Sequence, residues 1–103
     1  MEVIFHAHNA VISDRLRTRA ESSVRKLGSR ASRVVDAIVR FEQDGPTRHV
    51  EIVLHASPRR RLVSNGYARR YGPALAEAVE KLETQLSRSK RTPKARARGV
   101  ARP

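Results

Sequence analysis

Basic side chains recur at helical spacing in two parts of the chain, and they are the residues best suited to chemistry. Lys81, Gln85 and Arg88 follow one another at intervals of four and three residues, which places them on one flank of a helix. Rows of lysine and arginine suit the binding of phosphates rather than catalysis. A second set with similar spacing consists of Arg15, Arg19, Ser22 and Lys26.

The charge balance points to the same class of partner. The 103 residues include 22 Lys+Arg and 10 Asp+Glu, a net charge of +12. Residues 1–57 carry nine basic and seven acidic groups, whereas residues 58–103 carry thirteen and three. This asymmetry indicates a basic face or tail, for which nucleic acid is the first partner to consider. A solvated tail that binds nothing specific is the alternative.

Other chemistries have little support in the residues. The chain has no cysteine, which removes disulfides, thiol nucleophiles and thiolate–zinc sites. Ser13, Ser57 and Ser64 lie in no nucleophile motif, and no carboxylate cluster completes a metal site with His6 and His8. We therefore expect no enzyme, no cofactor, no metal and no small-molecule substrate. No membrane span or secretory signal is recognisable, so a cytoplasmic protein without a membrane partner is expected.

Hydrophobic periodicity predicts the elements that carry the basic flanks. Both helices have an apolar stripe, and the strands alternate apolar and polar residues. The predicted order is β-α-β-β-β-α: strand Glu2–His8, a helix capped by Ser13 and ended by Gly28, strands Val34–Glu42 and His49–Ala56, a strand around Leu62–Tyr67, and helix Tyr71–Arg91. Asn65-Gly66 within the fourth strand is also a hairpin signal.

These elements predict an α+β fold, a four-stranded sheet with both helices on one face. The helical crossover makes the first two strands parallel, and the short turns make the others antiparallel. One domain is expected over residues 1–91. Residues 92–103 lack periodicity and acidic residues, and we predict that they form a disordered basic tail.

An ordered set of motifs resembles a known family. Asn9 to Leu16 looks like its strand-to-helix entry, Lys26-Leu27 like the end of its first helix, and Tyr71 like its second helix entry. The pattern K-L-x-x-Q-L follows from Lys81 to Leu86, and the basic residues Arg88, Lys90 and Arg91 come after it. Over about residues 2 to 91, the chain resembles the short ribosome hibernation promoting factors, also called ribosome-associated inhibitors or sigma-54 modulation proteins.

The resemblance implies a fold similar to double-stranded RNA-binding domains and a function on the ribosome. Such proteins bind the small subunit and its 16S rRNA in the channel of messenger RNA and tRNA, and they inhibit translation during starvation or stationary phase. Helix residues would contact the rRNA backbone. Carried over from the motifs, these are Arg25 or Lys26, Lys81, Arg88, Lys90 and Arg91, while Arg15 and Arg19 follow from the flank of the first helix.

Some positions depart from the family pattern. An acidic residue often precedes the tyrosine, where this chain has Arg70, and Gly72-Pro73 replaces a pair of alanines. The turn between the third and fourth strands, usually small and rich in Gly or Asn, is Pro58 followed by Arg59, Arg60 and Arg61. These arginines are either a solvated turn or a further RNA contact.

The second domain of the long family form is also missing from this sequence, which disfavours self-sufficient ribosome dimerisation. A free RNA-binding module of the double-stranded RNA type is the alternative function.

Overall fold

The computed structural model describes residues 1–31 and 33–101, with side chains described up to Arg88. The order β-α-β-β-β-α and the α+β class are confirmed. The elements are β1 (Glu2–His8), α1 (Asp14–Arg30), β2 (Val34–Asp44), β3 (Thr47–Ala56), β4 (Arg60–Ala68) and α2 (Tyr71–Ala101).

One sheet with the strand order β1-β2-β3-β4 forms the base of the fold. β1 pairs with β2 in parallel and the remaining neighbours are antiparallel, as the crossover and the short turns predict. Alternate residues of β2 and β3 point to one buried face, which both helices cover. The buried side chains of this layer include Ala37, Val39, Phe41, Val50, Ile52 and Leu54 from the sheet and Ala20, Val24, Leu27, Leu75 and Leu82 from the helices.

The start of α1 follows the prediction and its end does not. The Ser13 Oγ accepts a hydrogen bond from the Leu16 N–H at 3.1 Å, as expected for an N-cap. The helix then continues past Gly28 to Arg30, so the prediction that Gly28 ends it is wrong. A Cβ on Gly28 would lie 2.7 Å from the Met1 sulfur. Glycine at this position makes room for Met1 rather than for a helix stop.

β4 runs without interruption through Asn65-Gly66, so these two residues do not form a hairpin turn. A Cβ on Gly66 would lie 1.9 Å from the Ala74 carbonyl oxygen and 2.8 Å from the Ala78 nitrogen. The neighbouring Ser64 is buried, and its hydroxyl donates to the Ala78 carbonyl at 2.8 Å. The glycine is required because the backbone of α2 lies directly on β4.

The assigned α2, Tyr71–Ala101, is longer than the predicted helix and overlaps the segment expected to be a disordered tail. Side chains after Arg88 lie outside the described part of the chain. The division into a domain of residues 1–91 and a tail of residues 92–103 therefore stays a prediction.

Tyr71, at the start of α2, is a core residue. Its ring packs edge-on against Phe41 with centroids 5.6 Å apart, and the Arg48 guanidinium lies 5.8 Å from its centroid. The hydroxyl is buried and has no hydrogen-bond partner within the described residues. Burial raises the pKa of Tyr71, and the positive charge of Arg48 opposes part of that effect.

We expect Gly66→Ala to destabilise the fold by about 3 kcal/mol or more, because the new methyl group meets helix backbone that cannot move aside locally. Gly28→Ala is the matched control. Its methyl group is too close only to the flexible Met1 side chain and lies at ordinary contact distance, 3.9 Å, from Val34, and alanine is favoured within a helix. Urea unfolding of both variants checks this. A Gly66→Ala protein as stable as wild type would show that α2 does not lie so close to β4.

We expect Tyr71→Phe to leave the free energy of unfolding unchanged or to raise it by up to about 1 kcal/mol at neutral pH, because no hydrogen bond is removed. In the wild type the folded pKa lies above the unfolded value. The stability linked to Tyr71 is therefore present below about pH 10 and disappears as pH rises through the folded pKa. Urea unfolding at neutral and alkaline pH should show a smaller alkaline decrease in stability in the variant. The control Tyr67→Phe, at an exposed residue, should keep the wild-type decrease. A clear destabilisation of Tyr71→Phe at neutral pH would contradict the unpaired state of the hydroxyl.

Candidate nucleic-acid interface

The two helices lie side by side on the sheet and run in the same direction. Arg30 of α1 donates to a Glu83 carboxylate oxygen at 2.8 Å. Closer to the start of both helices, a Cβ on Gly72 would lie 3.3 Å from a terminal nitrogen of Arg19. Arg30 and Glu83 each follow these residues by eleven positions. Because helices rise equally per residue, this equal offset indicates near-parallel axes.

The basic flank of α1 faces solvent and the groove between the helices. Lys26 lines this groove with Arg30 and with Glu83 across it. Arg15, Arg19 and Lys26 are exposed, and within the described residues none of these three side chains forms an ion pair or a hydrogen bond. Their charges are therefore available to an external anion.

The corresponding flank of α2 faces the opposite way, towards β4. Three side chains at four-residue spacing bond to outward-facing backbone groups of the strand at two-residue spacing. The rise over four helical residues, about 6 Å, nearly equals the rise over two strand residues. The contacts are Glu77 with the Tyr67 N–H at 2.7 Å, Lys81 with the Asn65 carbonyl at 3.1 Å, and Gln85 with the Val63 carbonyl at 2.7 Å.

The structure therefore places the two basic flanks on different sides of the helix layer and not in one groove. The acidic flank of α2, which carries Glu80 and Glu83, lies on the side of the helix nearer α1. Helical periodicity gives the angles between the apolar, basic and acidic stripes of α2. It does not give the direction in which the helix crosses the sheet, which decides which stripe faces α1. Lys81 is also partly engaged within the protein, since Glu77 lies 3.8 Å from its ammonium nitrogen.

The other predicted contacts are dispersed. Arg88 is exposed and borders a shallow surface with Arg30, Glu80 and Glu83. Arg25 pairs with Glu21 at 2.9 Å and donates to the Met1 carbonyl at 3.0 Å, so it anchors the N-terminus. The side chains of Lys90 and Arg91 lie outside the described residues. A role in RNA binding stays a prediction for all eight residues, Arg15, Arg19, Arg25, Lys26, Lys81, Arg88, Lys90 and Arg91.

Arg30 is a groove residue that the sequence reasoning missed. Its position four residues after Lys26 places it on the same flank of α1. Because α1 was predicted to end at Gly28, Arg30 lay outside the predicted helix. Its charge is opposed by Glu83, so Arg30 links the two helices and is less available to a ligand than Lys26.

The open face of the sheet carries paired polar residues. His49 lies 2.7 Å from the Asn65 amide oxygen and stacks on Tyr67 with ring centroids 4.5 Å apart. His55 lies 2.5 Å from an Asp36 carboxylate oxygen. Among the residues that the structure describes, no group of three or more potential ligands could hold a metal ion, and no helix is long and apolar enough to cross a membrane.

Two solved structures share this fold. A ribosomal subunit interface protein from Coxiella burnetii superposes with a TM-score of 0.79 at 18% identity, over 87% of this chain and 98% of the other. The N-terminal domain of Protein Y from Thermus thermophilus superposes with a TM-score of 0.74 at 22% identity, over 85% and 98%. At these identities, the likeness establishes the fold alone. No curated protein matches the chain by sequence.

A family model provides the functional class. Residues 3–94 match the family described as sigma 54 modulation protein / S30EA ribosomal protein. This is a family of non-enzymatic, ribosome-binding proteins, which confirms the expectation that the chain is not an enzyme. The match covers all four strands apart from Glu2, and it covers the described side chains of both helices. The chain therefore belongs to the sigma 54 modulation protein / S30EA ribosomal protein family.

Proposed function

We propose that this chain is a cytoplasmic hibernation factor that binds the small ribosomal subunit through 16S rRNA. In this proposal it occupies the channel of messenger RNA and tRNA and inhibits translation during starvation or stationary phase. The observation that carries the proposal is the family match over residues 3–94, which covers the folded domain rather than one motif. The Coxiella burnetii neighbour is named a ribosomal subunit interface protein, which agrees with such a position.

The free cations of α1 supply the physical basis for rRNA binding. Arg15, Arg19 and Lys26 occupy one exposed flank and have no anionic partner within the described residues. Contacts of this kind to phosphates fix position without reading base sequence. Folded rRNA is recognised largely by shape and backbone. The flank therefore suits rRNA better than a sequence-specific site.

A free module for double-stranded RNA is the second candidate. The order α-β-β-β-α from α1 to α2 favours it, because the resemblance implies a fold similar to that class of domain. The two functions differ in the ligand that binds tightly. A free module should bind naked duplex RNA about as well as it binds 30S subunits, whereas a ribosome factor should prefer the subunit.

We expect Lys26→Glu to weaken binding to 30S subunits about tenfold, because a charge-assisted contact to phosphate is worth about 1.5 kcal/mol. The slope of log Kobs against log salt concentration should fall by about 1. Arg40→Glu is the matched control, since Arg40 is exposed on the opposite face of the sheet, 3.7 Å from Glu51. Co-sedimentation across a salt series measures both. Equal decreases in affinity for the two variants would indicate non-specific attraction.

We expect bound messenger RNA and tRNA to exclude the protein from the subunit, because they would fill the same channel. Sedimentation of the protein with empty and with loaded 30S subunits tests this, and naked duplex RNA serves as the comparison ligand. Undiminished binding to loaded subunits would contradict the channel position. Comparable affinity for the duplex and for empty subunits would favour the free RNA-binding module.

A further inference from the structure

A second group of cations gathers at the end of the sheet where α1 passes into β2 and β3 turns into β4. The Ser57 N–H donates to the Arg33 carbonyl at 2.9 Å, which joins the two connections. Val34 and Ala56, the adjoining strand residues, are paired in register. The group, called the tip arginines below, consists of Arg33, Arg59, Arg60 and Arg61.

The backbone at two of these positions does not favour arginine. Arg33 has φ 58° and Arg59 has φ 56°. This left-handed region suits glycine and asparagine and is unfavourable for longer side chains. Non-glycine residues held in this region often mark functional sites. Local conformation therefore gives no reason for arginine at these two positions, and the guanidinium groups are the remaining explanation.

The charges of three of the tip arginines are poorly compensated by the protein. All four are exposed. Arg33, Arg59 and Arg61 have no ion pair or side-chain hydrogen bond within the described residues. The nearby carboxylate of Asp36 is 2.5 Å from His55, the cross-strand neighbour of Arg61. The uncompensated charges of Arg33, Arg59 and Arg61 repel one another unless an anion binds to them.

We propose that the tip arginines form a second phosphate-binding surface, which contacts rRNA beyond the region reached by the basic flank of α1. This inference rests on the proposed ribosome binding. Guanidinium groups bind phosphate through two parallel hydrogen bonds, which explains arginine rather than lysine at every tip position. The turn itself adds only Ser57 and Pro58. It therefore adds no aromatic or large aliphatic side chain of the kind found at the centre of a protein interface.

The tip arginines also lie far from Arg15, which is at the start of the basic flank of α1. Arg15 is the second residue of α1, and Arg30, the last residue of the helix, precedes Arg33 by three residues. Arg30 lies fifteen residues after Arg15, a distance of about 22 Å along the helix axis. Contacts at both ends would fix the orientation of the domain on the subunit, since two separated backbone contacts define an axis.

The test uses the double substitution Arg33→Gly with Arg59→Gly in the full chain. Glycine adopts the left-handed backbone without strain, so the melting temperature should not fall appreciably. The slope of log Kobs against log salt for 30S subunits should decrease by about 0.7 to 0.9 for each phosphate that the variant no longer neutralises. Arg33→Asn with Arg59→Asn tests the same charges with a second residue that tolerates this backbone. Arg33→Lys with Arg59→Lys keeps the charge and should retain part of the affinity.

Hydroxyl-radical footprinting of 16S rRNA separates the possible outcomes. We expect the Gly and Asn variants to leave one set of nucleotides unprotected and Arg15→Glu to leave a different set unprotected. Weaker binding with an unchanged rRNA footprint would indicate an acidic protein contact and overturn the proposal. A wild-type salt slope in both variants would overturn the tip surface alone. Failure of the wild-type protein to bind 30S subunits would overturn the proposed function together with this inference.

Discussion

The direct contact between the backbones of α2 and β4 is the constraint on which the rest of the structure depends. Gly66 has no side chain at the crossing, and Ala74 and Ala78 present the smallest side chains of the helix there. A Cβ at residue 66 could not be accommodated at 1.9 Å from a helix carbonyl. Because α2 lies so close to β4, its polar side chains can reach the backbone N–H and carbonyl groups on the unpaired side of this edge strand. An unprotected edge would otherwise be open to pairing with another chain.

This contact changes the meaning of the K-L-x-x-Q-L motif. Leu82 and Leu86 are buried, while Lys81 and Gln85 bond to carbonyls of β4. All four motif positions thus take part in holding α2 on the sheet. This motif, one of those that carry the family resemblance, is first a folding motif, and any rRNA contact of Lys81 must share its ammonium group with the Asn65 carbonyl.

Much of the fold could be predicted because its causes are local. Alternating burial identifies the strands, Ser13 identifies the start of α1, and the crossover requires β1 and β2 to be parallel. The errors arose where a distant residue decides. Gly28 was predicted to end α1 because Met1, which fills the space beside it, is 27 positions away.

The candidate site could be predicted only in part for the same reason. Helical periodicity located the basic flanks correctly on their helices, but it could not say which flank of α2 faces α1. The tip arginines are separated by more than twenty positions between Arg33 and Arg59, and only the register of β2 with β3 and the Ser57–Arg33 hydrogen bond bring them together.

Nine of the basic residues fall into two groups according to their partners. Arg25, Arg30 and Lys81 are engaged by carboxylates or backbone carbonyls of the protein, so their charge already serves the fold. Arg15, Arg19, Lys26, Arg33, Arg59 and Arg61 have no such partner within the described residues. Exposed ion pairs are worth little, so pairing is not needed to retain a surface cation. Many unpaired cations on one small domain nevertheless repel one another and lower its stability. An anion that binds only the folded state reverses this effect. The distribution of unpaired charge is therefore a better guide to the proposed RNA-binding surface than the distribution of basic residues.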